Sequence, residues 1–423
     1  MKIIPILLSL LAAAPAVAAL PSADLETDMH RLSGNLREYP WSVAEAPAQT
    51  PPPAGYQPFH LEHYGRHGSR WLIGGNDYLV PVKRLETAER HGKLTPLGKE
   101  TLEALRKIEK ASHGRLGELT DKGALQHQGI GRRMVKNFPE LFTDSTHVDA
   151  KSTVVIRCIL SMLNGLQGIK EVAPDVSTSS DASYAEMYYM NYDDKPAWKI
   201  KDRAEETVLA EYRENLNPGQ GYLEKLVTDP QFAQDSVAPG LMPYLYWVLA
   251  NTQGHSGQPW LFDKVFTPDE ARQFWRYDNG MWVLHCIDSP LTENRMPYTQ
   301  RKLLRNIIES TDSAINSTRP SVNLRYGHDG ILINFITLLD VSGLGKEFKS
   351  IREAEDAGLR SYDLIPMAGN LQLVFYRNKD NDILVKALLN EQEVTLPATP
   401  VEGPYYRWAD LRDKYLAKIA PFD

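Results

Sequence analysis

Late in the chain three segments follow one another without a break: Ser321 to Tyr326, the polar turn Gly327-His328-Asp329, and the apolar run Ile331 to Leu339. They read as strand, turn and helix. The same grammar occurs earlier, where the β-branched run Ser152-Thr153-Val154-Val155-Ile156 passes through Arg157 into the helix-like stretch Cys158 to Ile169. A strand that opens through a polar turn into a helix is the unit of an α/β sheet. The fold expected is therefore α/β, a mixed sheet core flanked by helices. Further strands are predicted at Phe59 to Gly65, Leu371 to Arg377 and Ile383 to Leu388. Leu97, Leu102, Leu105 and Ile108 recur at helical spacing, and Leu119-Thr120-Asp121-Lys122-Gly123 supplies a capping residue for a helix over Ala124 to Phe138.

A chain of 423 residues exceeds what one core usually holds, so the sheet must share it with a second domain or a large insertion. Residues 175 to 310 carry Trp198, Tyr212, Trp247, Trp260, Trp275 and Trp282 among charged, helix-favouring stretches, and read as a mostly helical insertion. The core is then 56–174 with 311–423. Residues 20–55 read as an extended lead-in, Pro- and Ala-rich from residue 40 to 58. Residues 1–19 have the charged start, apolar run and Ala16-Val17-Ala18 site of a secretory signal peptide. Secretion or export to the periplasm is expected, with no membrane span after cleavage, because no second stretch is apolar enough to cross a bilayer. Only Cys158 and Cys286 are present, either paired or as two buried thiols, so disulfides do not build the fold. A net charge of −7 argues against a nucleic-acid or anionic-membrane binder.

Arg66-His67-Gly68-Ser69-Arg70 packs two guanidinium groups and an imidazole around a glycine just past a predicted strand. Arginine forks match phosphate oxygens and stay charged. Histidine offers a lone pair as nucleophile near neutral pH. Gly68 lets the backbone approach an anion, and a helix starting here would add free N–H groups and set Arg66 and Arg70 on one side. Asp329 supplies an acid for a departing oxygen, with His328 beside it. If the strands are neighbours, their carboxyl ends bring residues 66–70, Arg157 and 328–329 together.

These segments resemble the histidine acid phosphatases, in particular the branch with the phytases and the multiple inositol polyphosphate phosphatases. The resemblance rests on Arg66-His67-Gly68-Ser69-Arg70, Leu119-Thr120-x-x-Gly123-x-x-Gln126, Arg157-Cys158-x-x-Ser161 and the late His328-Asp329 pair, in family order. It implies a mixed α/β core with a helical domain over the site. It also implies His67 as nucleophile through a phosphohistidine, Asp329 as general acid and base, and Arg66, Arg70, Arg157 and His328 as phosphate-binding groups. No metal and no cofactor are required, and a small-molecule phosphate ester is the partner, with myo-inositol polyphosphates the leading class. Phytases of this branch carry a nearby proline where Trp71-Leu72 follow here, and the inositol polyphosphate phosphatases more often have His-Ala-Glu in place of His328-Asp329-Gly330. The disulfides common in the family are largely absent.

Three other readings compete. One is a broad-specificity acid phosphatase; another is a non-catalytic polyphosphate or sugar binder built on the aromatic insertion. The third is a zinc pair at His63 and His67, which lacks the Glu after the first histidine and the helix that would align the two. His60 and His63 are assigned to packing or supporting hydrogen bonds, and His127 to a helix surface or the core.

Overall fold

The computed structural model describes residues 22–41, 48–217 and 219–422. The signal peptide read over 1–19 lies outside them. One mixed sheet organises the chain, with strands β1 (Gln57–Arg66), β2 (His147–Ser152), β3 (Ser177–Asp181), β4 (Ser321–Gly327), β5 (Asn370–Arg377), β6 (Ile383–Leu389), β7 (Gln392–Val394) and β8 (Tyr406–Arg407). Their order is β3-β2-β4-β1-β5-β6-β7, with β8 on β6. β1 to β4 pair in parallel with one another, while β5 pairs antiparallel with β1 and β6 to β8 pair antiparallel as well.

The chain reaches β2 and β3 before it returns to insert β4 between β2 and β1. That insertion makes β1 and β4 neighbours at a point where the strand order reverses, the place where open α/β sheets bind ligands. β1 is buried along nearly its whole length although it carries His60, Glu62 and His63. His60 and Glu62 pair with each other, and the His63 ring packs on Tyr326. His60 Nδ1 meets the Ser321 hydroxyl at 2.7 Å and its Nε2 meets Glu62 at 2.8 Å, while Arg325 and Ser310 close on the same carboxylate.

The principal helices are α1 (Gly75–Arg90), α2 (Pro96–Ser112), α3 (Asp121–Asn137), α4 (Ile156–Val172), α5 (Lys195–Ala204), α6 (Tyr244–Asn251), α7 (Pro268–Cys286), α8 (Arg301–Ile315), α9 (Asp329–Leu338) and α10 (Trp408–Ile419). α3 and α4 share a buried cluster with one face of the sheet. α8, α9, α10 and the second half of α7 share another with the opposite face. A third cluster joins α1, α2, α6 and the first half of α7 into a helical layer. That layer therefore draws α1 and α2 from the segment 56–174, read from sequence as core, as well as helices from the insertion.

Away from the Arg66–Arg70 motif, three segments depart from the sequence reading. β2 ends at Ser152 and α4 begins at Ile156, so Thr153-Val154-Val155 form the turn despite their β-branching. β2 pairs with β4 only as far as Ser152 against Tyr326, and beyond that the chain must leave the sheet. β3, Ser-Thr-Ser-Ser-Asp, extends the sheet from inside the region read as helical. It is a short, polar, exposed edge strand without apolar alternation to mark it. The lead-in is not extended throughout: Ala23–Leu25 and Arg31–Leu36 form 3₁₀ turns, and Leu32, Ser33, Gly34, Asn35 and Leu36 are buried. Cys158 and Cys286 are two buried free thiols.

Candidate active site

Arg66 stands opposite Gly327 in the parallel register of β1 and β4, so His67 and His328 leave the sheet side by side. The His67 N–H donates to the Gly327 carbonyl at 3.0 Å. The two imidazole rings meet edge-on with centroids 5.9 Å apart. Asp329 opens α9, and Arg66 Nη2 lies 2.8 Å from its carboxylate. The Gly330 N–H donates to Asp329 Oδ1 at 3.0 Å. Arg66 Nη1 donates to the Asn35 and Ile365 carbonyls at 2.5 Å each, which pins a fully buried guanidinium. Arg70 Nη1 donates to the Trp71 carbonyl at 3.0 Å, and Arg157, in the first turn of α4, reaches the Gly117 carbonyl at 3.4 Å. The Nε groups of Arg66, Arg70 and Arg157 are buried and make no hydrogen bond among the described residues. Three guanidinium groups beside one imidazole, balanced by one carboxylate, leave net positive charge that an anion would neutralise.

His67 is 2% exposed. Burial first, then Arg66, Arg70, Arg157 and His328, push its pKa well below the ordinary value, so the ring is neutral. Its Nδ1 sits 2.9 Å from the Gly68 carbonyl, which can only accept. The proton is therefore on Nδ1 and the lone pair on Nε2. Burial alone would raise the Asp329 carboxyl, but Arg66, Arg70 and then His328 overturn this and hold it below its usual range. His328 is pushed down to about 4, chiefly by burial, although the Asp329 charge opposes the shift.

No helix begins at the Arg66–Arg70 motif, contrary to expectation; the next one is α1 at Gly75. Arg66 and Arg70 lie on a strand end and a loop. Gly68 serves close contact between backbones: a Cβ there would overlap the Gly123 carbonyl, and one at Gly123 would overlap that of Ser69. The Leu119-to-Gln126 motif holds this loop. Thr120 caps α3 on the Gly123 N–H and donates to the Ser69 and Gly254 carbonyls. Gln126 grips Ser69 through its N–H and its hydroxyl, each at 2.9 Å. Ser161 accepts from the Gly68 N–H at 3.1 Å and donates to the Arg157 carbonyl at 2.8 Å, which ties the His67 loop to α4.

His60 and His63 are buried in β1, and His127 is buried in α3 against Tyr326. His63 packs on the same Tyr326 ring and its pKa is pushed to about 3, chiefly by burial. It shares no helix with His67. Among the described residues no group of three or more His, Cys, Asp or Glu is placed to hold a metal.

Five residues to which the sequence reading gave no role in the site also lie around it. Asn35 Nδ2 lies 3.4 Å from Asp329 Oδ2. Thr153 Oγ1 is 3.3 Å from His328 Nε2, and Cys158 Sγ is 3.9 Å from both ring nitrogens of His328. His285, stacked on Trp198 at 5.1 Å, faces Gly330, where a Cβ would come within 2.6 Å of its Nε2. Asp278 acts electrostatically on both Arg66 and Asp329. Cys158 stands in the Arg157-Cys158-x-x-Ser161 motif, whereas Asn35, Thr153, Asp278 and His285 stand in no pattern legible along the chain, and Asp278 and His285 both belong to α7.

The family model for the histidine phosphatase superfamily (branch 2) matches residues 83–390, and the chain belongs to that family. The match takes in Arg157, His328 and Asp329 and begins after the Arg66–Arg70 motif. No curated protein matches the chain in sequence. Among solved structures, the chain is similar to the Bifidobacterium longum multiple inositol polyphosphate phosphatase in complex with inositol hexasulfate. The TM-score is 0.69 at 20% identity, covering 92% of this chain and 98% of that one. The phytase from D. castellii gives 0.67 at 15% identity over 93% and 85% of the two chains. The Hafnia alvei phytase in complex with tartrate gives 0.54 at 13% identity over 88% and 99%. At these identities the likeness is one of fold.

Proposed function

We propose that this protein is a phosphomonoester hydrolase that works outside the cytoplasm through a phosphohistidine, with myo-inositol polyphosphates as its substrate class. One observation carries the reading: a neutral imidazole with its Nε2 lone pair free stands among Arg66, Arg70 and Arg157, with the carboxylate of Asp329 beside it. In the first step Nε2 of His67 attacks phosphorus, the P–N bond forms, and the P–O bond to the leaving alcohol breaks. The leaving oxygen takes its proton from Asp329. Water then attacks the phosphohistidine, Asp329 accepts a proton from it, the P–N bond breaks, and inorganic phosphate departs. Arg66, Arg70, Arg157 and His328 bind the phosphoryl oxygens and offset charge gathering in the transition state.

The ionised state in which Arg66 and Arg70 hold Asp329 fits this sequence. An incoming phosphate competes for Arg66 and Arg70, the groups that hold its carboxyl low, and so raises its proton affinity. The inositol polyphosphate assignment is supported by what the fold relatives are called. Phosphate release from inositol hexakisphosphate and from an aryl phosphate, at mildly acidic pH with chelator present, tests the reading against a His67→Ala blank. His67-dependent release with preference for the inositol ester is the expected outcome. Equal use of both substrates would make it a general acid phosphatase, and release that survives in His67→Ala would overturn the mechanism.

A further inference from the structure

Two successive peptide groups, Arg70–Trp71 and Trp71–Leu72, carry the Arg70 side chain, and all four of their polar groups are held. The Trp71 N–H donates to the Glu118 carbonyl at 2.9 Å and the Leu72 N–H to the Tyr78 hydroxyl at 2.7 Å. The Trp71 carbonyl accepts from Arg70 Nη1 itself, at 3.0 Å. The Arg70 carbonyl is held from the helical layer: Asn251, the last residue of α6 and 1% exposed, donates to it from Nδ2 at 3.1 Å. A carbonyl can only accept, so it is the amide nitrogen of Asn251 that faces it. The same nitrogen meets Nε2 of His255 at 3.0 Å, and the His255 ring lies edge-on to Trp71 with centroids 4.3 Å apart. Burial first, then Lys122 and Arg115, push His255 down to about 4, so its ring is neutral and has a lone pair for Asn251. One amide thus ties together the Arg70 backbone, the His255 ring and the Tyr78 hydroxyl. The turn from Asn251 to His255 is clamped in its own right. Its Gly254 carbonyl accepts from Thr120 and its Gln253 carbonyl from Lys122, and a Cβ at Gly254 would press on Ser69.

The Arg70 guanidinium rests on this frame. Its Nη1 is turned back on the Trp71 carbonyl, and its Nε is buried without a hydrogen bond among the described residues. Without Asn251 the Arg70 carbonyl would be left without its donor, a loss that the loop relieves by turning the peptide toward another one. The Trp71 carbonyl and the fork resting on it would turn with that peptide. We propose that Asn251, oriented by His255, is a positioning residue for Arg70: it fixes the peptide from which a phosphate-binding guanidinium projects, so that the helical layer sets the phosphate affinity of this arm. The inference rests on the hydrolase reading above and deepens it. Asn251 hydrogen-bonds to Arg70 and not to His67, Arg66, Arg157 or Asp329, so its effect on phosphate passes through Arg70.

The probe is inorganic phosphate, and its Kd is measured by calorimetry at pH 7 in the unaltered protein, Asn251→Ala, Arg70→Ala and the double variant. Asn251→Ala should weaken phosphate binding about tenfold, within the coupling found between residues of one hydrogen-bond network, but by less than about twofold where Arg70 is already Ala. The Tm should fall equally in both backgrounds, because the Arg70 carbonyl is present in each; a merely structural role would move affinity in the same parallel way. Equal losses of affinity in the two backgrounds, or none in either, overturn this inference alone. Phosphate bound as tightly by Arg70→Ala as by the unaltered protein strikes Arg70 from the phosphate site, and the inference falls with the hydrolase reading on which it rests. If Asn251→Ala does not fold, His255→Phe decides: it keeps the packing on Trp71 and removes the acceptor that orients Asn251. A severalfold loss of phosphate affinity that vanishes in Arg70→Ala is then expected, and unchanged affinity overturns the proposal.

Discussion

Asp329 is asked to be an acid in a place that holds it as a carboxylate. Arg66 and Arg70 keep it ionised, and Asn35 and the Gly330 N–H contact its two oxygens. Replacing it with Asn removes the proton donor but keeps the shape, with one oxygen left to accept from the Gly330 N–H. For an alkyl phosphate, whose leaving oxygen needs a proton, Asp329→Asn should lower kcat by about 10²- to 10⁴-fold. For a nitrophenyl phosphate the first step should be nearly unaffected, because that oxygen leaves without help. The second step still lacks its base, so phosphohistidine should accumulate in Asp329→Asn with the aryl substrate. An alkaline quench after labelled substrate would preserve that bond. Equal losses on both substrates, with no label on the protein, would remove Asp329 from the role assigned to it.

At the scale of elements, the site depends on how closely helices and loops approach one another. A Cβ at Gly131 of α3 would overlap the Gly165 carbonyl of α4, and one at Gly168 of α4 would overlap the Gln128 carbonyl of α3. α4 carries Arg157, and α3 holds Ser69 through Thr120 and Gln126. Gly168→Ala should therefore force the two helices apart. Overpacking of this kind costs about 1–3 kcal/mol, read as a lowered Tm together with weaker inhibition by inorganic phosphate. Unchanged Tm and phosphate affinity would show that the helix pair yields freely at that point.

For the whole molecule, the buried titratable groups pull stability in one direction. His63 and His127 are pushed to about 3 and His255 and His285 to about 4, in every case chiefly by burial. An unfolded histidine takes a proton near its ordinary value of about 6.5, so below that pH the unfolded chain binds more protons and stability falls. Glu62 adds to the trend. Although burial would raise it, Arg325 and His60 hold it at about 2, so its contribution is present above its unfolded value and fades as pH drops toward 2. Tm should thus fall steadily from about pH 6.5 to 3, where a protonated leaving-group acid would otherwise favour turnover. Thermal unfolding followed across that range checks this, and a flat profile between pH 7 and 4 would contradict it.

Much of the architecture was legible along the chain because it is local. Ser321 to Leu339 is strand, turn and helix in structure as in sequence, since short-range patterning and a polar turn decide such a unit. The residue types of Arg66, His67, Arg70, Arg157, His328 and Asp329 declare their chemistry wherever they stand. Sequence also places a cap within Leu119 to Gly123, ahead of a helix read over Ala124 to Phe138; in the structure the cap is Thr120 and the helix already starts at Asp121. What required the folded chain is everything set by contact between distant segments. β4 threads between β2 and β1, and only that threading puts His328 beside His67. Gly68 is needed for its fit against Gly123, which no local signal announces. Asn35 reaches Asp329 from a segment that reads as an extended lead-in, and His285 faces Gly330 from a helix whose pattern reads only as insertion. Sequence by itself determined which chemical groups the protein carries and which local units bear them. Tertiary structure decided which groups share a low-dielectric pocket, and with that the charge states of His67 and Asp329, because burial and neighbouring charges are properties of the assembled fold.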